Sequence, residues 1–571
     1  MKKHAICHKP ESEYAYAKDG HTLRIVLRLA RGEDLSGVGI LYNNKYDFTK
    51  ERRRGEMRRE YTDKLFDYYA FEIALSDVRF AYIFVLEERG KIYYYSEEGL
   101  SEQYDFARAY YTFFQYPFIN ACDVVQVPAW AYEAVFYQIF VDRFCRGNFE
   151  KDGGYITQEW NEPVKAKSYA GGDLKGIRQK LTYLKELGVN ALYLTPVFCA
   201  ASNHKYNTTD YHTVDPQFGS NADLAELVSA AHGMGMRVML DVVFNHCDAN
   251  HPFFRDVMQK GRESEYFSCF LTDGEKPDLQ KGNYAHFADC KYMPKWNTGD
   301  ARAREYLIQA GLYYLRAFGI DALRLDVSDE VSHTFWREFR RAVKAENPSA
   351  LLIGEVWHEN THYLRGEQFD GVMNYKLQKI LLDYFATGEA TAQDAAARMS
   401  RLWVQNIEQA NYMALNFLDN HDTARIYRAT GGDTDKLIGA LACMLVLPGM
   451  PCVFYGTEQP IDGASDPDCR RTFDWTFAAQ DRAYAEKFRR LLALRRIRAL
   501  QSGAFRVRAE QGLLIVERAG ENETVAAYFN RGGRRSGEIG GKVLFENRCE
   551  KSSGGTRVLQ GGTLVAVKER T

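Results

Sequence analysis

Beyond residue 133 the chain alternates between short apolar runs and stretches whose apolar positions recur every three to four residues. In 176–187, Ile177, Leu181 and Leu184 fall at i, i+4 and i+7, the spacing of one helix face; Gly188 then supplies a stop, and 190–195 follows as a buried strand. The same strand reading applies to 136–140, 237–243, 320–327, 351–356, 371–374, 413–417 and 452–455, which with 190–195 makes eight runs. Eight apolar strands separated by helix-forming sequence predict a (β/α)8 barrel, parallel strands inside and helices outside. A polar and aromatic stretch at about 246–300, between the third and fourth runs, exceeds an ordinary connection and reads as a small inserted subdomain.

The flanks follow another rule. Before residue 122, β-rich runs at 22–29, 37–42, 68–73, 79–87 and 91–95 are separated by polar turns, the signature of a β-sandwich. After a basic amphipathic helix at 484–500, strand-like patterning resumes over 505–568 as a small all-β domain. The chain is therefore read as multidomain α/β: an N-terminal β-sandwich at 1–122, a catalytic barrel at 123–502 and a C-terminal β-domain at 503–571. A length of 571 residues requires more than one core.

Composition narrows the function classes. With 74 basic against 76 acidic residues the net charge is −2, which gives no field for nucleic acid or an anionic membrane surface and suits a neutral substrate. No run is long and apolar enough to span a bilayer, and the first ten residues lack the apolar core of a signal peptide. Eleven cysteines, an odd number without a C-x-x-C pair, read as buried small side chains in a reducing compartment. The expected location is the cytoplasm.

Charged residues gather where the predicted barrel strands end: Asp241 with Asn245 and His246, Arg324 with Asp326, Glu355 with Trp357 and His358, and Asp419 with His421 and Asp422. Strand ends share the face on which barrel active sites are built, and carboxylates beside apolar strands are costly unless compensated. Glycoside hydrolysis needs one carboxylate to attack or activate water and one carboxyl to protonate the leaving group, and Asp326, Glu355 and Asp422 supply such a set. Arg324, two residues before Asp326 on the same strand, is expected to keep it ionised. Ile353, Val356 and Trp357 around Glu355 suggest the apolar surround that suits a proton donor. Taken singly, each acid reads as an ordinary strand-end ion pair; the set does not.

These segments resemble the α-amylase family of glycoside hydrolases, in the order 241–246 (DVVFNH), 319–327 (GIDALRLDV), 354–358 (GEVWH) and 418–422 (LDNHD). Within it, 136–144 (FYQIFVDRF), 171–177 (GGDLKGI), 203–206 (NHKY), 293–297 (MPKWN) and 466–471 (DPDCRR) resemble the neopullulanase, cyclomaltodextrinase and maltogenic amylase group. The resemblance implies a retaining enzyme on cyclomaltodextrins, pullulan or short α-1,4-glucans, with Asp326 as nucleophile, Glu355 as general acid/base and Asp422 as stabiliser. It also implies that His246, Arg324 and His421 hydrogen-bond the sugar at the cleaved bond, that Tyr206 stacks on it, and that Asp466 and Arg470 bind the next glucose. Val243 and Trp296 depart from the group's pattern and bear on subsite shape. A homodimer is implied, and no cofactor is required. Many members bind calcium after the first barrel strand; Asn148, Asp152, Gly171 and Asp173 match that pattern, whereas Arg146 and Lys151 stand where two Asn ligands are expected, which disfavours the ion. The alternatives are a non-catalytic glucan-binding barrel, or an α-1,6-glucosidase or glucosyltransferase on the same fold.

Overall fold

The computed structural model describes residues 1–47, 52–106, 110–476, 482–537, 540–551 and 557–569. It divides into two compact units, the first comprising Met1–Gln126, Ala390–Asn411 and Phe505–Glu517, the second Val127–Glu389, Tyr412–Ala504 and Arg518–Thr571.

In the first unit the five expected strands are present within a residue or two at each end, as Thr22–Ala30, Gly37–Asn43, Phe66–Ala74, Phe80–Glu88 and Lys91–Ser96. Shorter strands missed by the pattern complete two antiparallel sheets, among them Ala15–Ala17, Arg53–Glu56 and Arg58–Thr62. Alternation decides which side chains go in: Leu23, Ile25, Leu27 and Leu29 from one sheet meet Ile40, Phe80, Tyr82 and Phe84 from the other in one core.

The second unit contains the barrel. Its strands are β1 (Phe136–Ile139), β2 (Ala191–Leu194), β3 (Arg237–Val242), β4 (Ala322–Leu325), β5 (Leu351–Gly354), β6 (Gly371–Val372), β7 (Leu415–Asn416) and β8 (Met450–Phe454). They lie parallel in the order β6-β5-β4-β3-β2-β1-β8-β7, and a parallel bridge from Met373 to Leu415 closes the ring. At that seam a Cβ on Gly371 would lie 1.9 Å from the Met413 carbonyl oxygen, so only glycine lets β6 and β7 approach.

Local signals place the connections. The helix expected over 176–187 is two, Leu174–Gln179 and Leu181–Leu187, and the second ends at Gly188 with φ +104° as the sequence suggests. The first is docked so closely that a Cβ on Gly176 would fall 2.1 Å from the Cys145 carbonyl oxygen. A hairpin of Phe198–Ala200 and Thr208–Val214 follows β2 and was not expected from the pattern. Asp300 caps the helix Ala301–Phe318 that ends the insertion after β3. In that insertion Trp296 is 1% exposed, stacks on Phe270 and donates its Nε1–H to the Tyr211 hydroxyl at 3.1 Å. Trp296 is thus a core residue of the insertion. Val243, 2% exposed, is likewise interior.

The expected basic helix is present as Arg482–Ala493, followed by a short turn and Arg498–Ser502. After it come antiparallel strands from Ala504–Glu510 to Arg557–Glu569; within that stretch 538–539 and 552–556 lie outside the described residues.

Candidate active site

Beyond the carboxyl ends of the barrel strands lies a cavity of about 510 Å³. Tyr206, His246, Asp326, Glu355, His421, Asp422, Asp466 and Arg470 all line it, so every expected site residue but one reaches the same space. The exception, Arg324, is fully buried among the carboxylates. Its Nη1 donates to Asp241 Oδ1 and to Asp326 Oδ1, each at 2.7 Å, and its Nη2 lies 2.8 Å from Glu355 Oε2. Three acids from β3, the end of β4 and the end of β5 therefore share one guanidinium.

This sharing changes the expected electrostatics. Burial pushes the Asp326 carboxyl well above the usual range and neighbouring Glu355 and Asp241 add to it, against the opposing pull of Arg324. Asp241 is pushed up to about 6, again chiefly by burial. Arg324 pulls the Asp326 carboxyl down as expected, but burial and the two neighbouring acids outweigh it. Glu355 also differs from its expected apolar surround. The Val327 N–H donates to its Oε2 at 2.9 Å and the Trp357 Nε1–H to its Oε1 at 3.1 Å. Val327 adopts φ +43°, a left-handed conformation rare for a β-branched residue, which aims this N–H at the carboxylate.

A second network fixes the sugar-facing side. The Gln138 amide donates to His421 Nδ1 at 2.9 Å, which leaves the proton on Nε2. Nε2 lies 2.5 Å from the Tyr206 hydroxyl and 3.2 Å from Asp422 Oδ2, and the Tyr206 O–H donates to Asp241 Oδ2 at 2.7 Å. The Tyr206 and His421 rings stack at 7°. Burial, with Arg470 and Arg324 nearby, keeps His421 neutral. His246 is held down to about 3 by burial and Lys295; it stacks on Phe287, and its Nε2 has no hydrogen-bond partner among the described residues. Arg470 donates through Nε to the His421 carbonyl at 2.6 Å and pairs with Asp466 at 2.9 Å and Asp422 at 3.3 Å. Burial raises the Asp422 carboxyl against Arg470.

Some cavity residues had not been singled out. Phe287 and Tyr292 from the insertion, with Asp329 and Glu330 after β4, line the cavity beside Met293 of the quoted 293–297 motif. Trp357, expected only as part of the surround of Glu355, is half exposed there and stacks on Tyr375 with centroids 3.7 Å apart. His204, from the quoted 203–206 motif, lines the cavity and is held down to about 3 by burial.

Where the resemblance places calcium, two cationic side chains stand. Lys151 Nζ donates to Gly171 O at 2.8 Å and to Gln217 O at 2.9 Å, while Arg146 Nη2 donates to Ala170 O at 2.6 Å. Among the described residues no group of three or more His, Cys, Asp or Glu side chains is arranged to hold a metal ion.

A closed parallel barrel with paired carboxylates in a cleft at its carboxyl end is the arrangement of a glycoside hydrolase. Residues 138–492 match the alpha amylase catalytic domain, and residues 1–120 match the alpha amylase N-terminal ig-like domain. The chain belongs to the α-amylase family. It is 38% identical over 540 residues to a cyclomaltodextrinase of Geobacillus thermopakistaniensis, covering 93% of this chain and 91% of that protein. To neopullulanase 2 of Thermoactinomyces vulgaris it is 38% identical over 558 residues, covering 95% and 94%. A solved cyclomaltodextrinase superposes with a TM-score of 0.92 at 34% identity, over 99% of this chain and 100% of that one. No helix among the described residues is long and apolar enough to cross a membrane.

Proposed function

We propose that this protein hydrolyses α-glucosidic bonds of cyclomaltodextrins, pullulan or short α-1,4-glucans with retention of configuration. The observation that supports this best is the single Arg324 guanidinium bonding Asp326 and lying 2.8 Å from Glu355, which brings the two acids close together. Such proximity fits the roughly 5–5.5 Å carboxyl spacing of retaining enzymes, in which no water need fit between nucleophile and sugar. In this reading Asp326 attacks the anomeric carbon while Glu355 gives its proton to the leaving oxygen; water, deprotonated by Glu355, then releases the sugar from Asp326. Asp422, with Arg470 and His421 holding it, takes hydroxyls of the distorted ring, and His246 Nε2 offers a further hydrogen bond.

Cyclomaltodextrins and pullulan enter as substrates because the relatives named above bear those activities in their names. Replacing Asp326 by Asn is expected to lower kcat on β-cyclodextrin by about four orders of magnitude or more with an unchanged melting temperature. Turnover close to wild type sinks the assignment. Products of maltotriose, pullulan and β-cyclodextrin, separated by chromatography, then fix linkage and the share of transfer to sugar acceptors. We also propose a cytoplasmic homodimer: eleven free thiols fit a reducing compartment, and the dimer is what the resemblance implies. Sedimentation that finds only monomer contradicts the dimer.

A further inference from the structure

Lys151 occupies a cage of oxygens. Besides the Gly171 and Gln217 carbonyls at 2.8 and 2.9 Å, its ammonium lies 3.0 Å from Asp173 Oδ2, so all three N–H bonds are used, and the side chain is only 10% exposed. Asp173 also accepts from the Gly147, Asn148 and Gly176 N–H groups, at 3.0, 3.0 and 2.7 Å. Carbonyl and carboxylate oxygens converging on one positive centre are the donors a hard divalent ion takes. Here the centre is an ammonium on a four-carbon tether. Two other oxygens of the pattern are engaged by backbone: Asn148 Oδ1 accepts from Glu150 N–H and Asp152 Oδ1 from Gly154 N–H. With Arg146 beside it as well, a divalent ion meets two fixed positive charges, and these residues do not fit one.

The cage is linked to the cleft through Gln217. Its carbonyl accepts from Lys151, while its side-chain oxygen accepts from Lys205 Nζ at 2.5 Å. Lys205, fully buried, also pairs with Asp215 at 2.7 Å, and its chain neighbour is Tyr206, which lines the cavity. Two lysines thus hold the 215–217 turn, one from the segment after β1 and one from the loop bearing Tyr206.

We propose that Lys151 is a covalently tethered cation standing in for calcium, a positioning residue that ties residues 171–173 to the 215–217 turn and makes the fold independent of divalent metal. Purified protein, passed through buffer containing calcium chloride and analysed by mass spectrometry for metals, is expected to hold less than one equivalent of calcium, and EDTA is expected to leave its melting temperature unmoved. Lys151→Met, of similar length but uncharged, is expected to melt lower, with no recovery in calcium. Arg146→Asn/Lys151→Asn, which clears the cage, is expected to gain at least about 3 °C from millimolar calcium chloride. One bound calcium in the unaltered protein, a fall in its melting temperature with EDTA, a Lys151→Met variant as stable as wild type, or a double variant indifferent to calcium each overturns the proposal. If the double variant does not fold, the first three measurements still decide.

Discussion

Tyr206 shows how a side chain can do two things at once in this cleft. Its ring lies parallel to the His421 ring, and its hydroxyl sits between His421 Nε2 and Asp241 Oδ2. Tyr206→Phe keeps the ring and removes the hydroxyl, so the buried Asp241 loses one of its donors. A lost hydrogen bond to a buried charged group costs about 1.5–3 kcal/mol of stability, so the melting temperature is expected to fall by a few degrees, and kcat/KM on β-cyclodextrin to fall as His421 and Asp241 lose the hydroxyl that links them. A variant as active as wild type shows that only the ring matters. Asp326, Glu355, Asp422 and the histidines were legible because they follow apolar runs directly. Asp241, Gln138 and Tyr193 were not assigned roles, since a polar residue within a strand looks like any other until the ring closes and points it inward; Tyr193 donates to Asp241 at 2.9 Å. The share of Arg324 among three acids was equally invisible, because Asp241 lies 83 residues away along the chain.

At the scale of elements, the eight barrel strands stood out because parallel strands covered on both faces are continuous apolar runs. Their ends were read less well: 320–327 shortens to Ala322–Leu325, where Asp326 and Val327 leave the ladder to serve the site. The hairpin Phe198–Ala200 with Thr208–Val214 was missed because its polar, irregular strands lack strict alternation and a bulge interrupts their register. The most demanding junction is the seam between β6 and β7, where the ladder narrows to two-residue strands. Gly371→Ala forces a methyl group against the Met413 carbonyl, and backbone on both sides has to move. The expected cost is about 3–5 kcal/mol, read as a lower urea midpoint at unchanged slope. An unaltered midpoint shows that the seam yields more easily than its geometry implies.

Across the whole molecule, acid acts unevenly on the two units. In the N-terminal sandwich His8 is buried between Phe84 and Phe114, its Nδ1–H donates to Val26 O at 2.8 Å, and the Tyr82 hydroxyl donates to its Nε2 at 2.7 Å. Both nitrogens are satisfied in the neutral ring, and burial lowers its pKa from 6.5 to about 4. Between these values the unfolded chain binds a proton that the folded domain refuses, so stability is full above pH 6.5 and is lost as pH falls toward 4, by about 3 kcal/mol in all. The barrel gives no such clean sign. His204, His246 and His251, each held down to about 3, act in the same direction. Asp241, raised to about 6, and Asp326, also raised, act in the opposite one, because their folded forms hold protons that the unfolded chain releases. Hydrogen exchange separates the two cases by reporting each strand on its own. On going from pH 7.5 to 4.5, and after correction for intrinsic exchange rates, protection of the Thr22–Ala30 amides is expected to fall about 100-fold in the wild type and much less in His8→Gln, where no imidazole titrates. Equal losses in the two proteins assign the acid sensitivity of the sandwich to its surface charges instead of its buried ring.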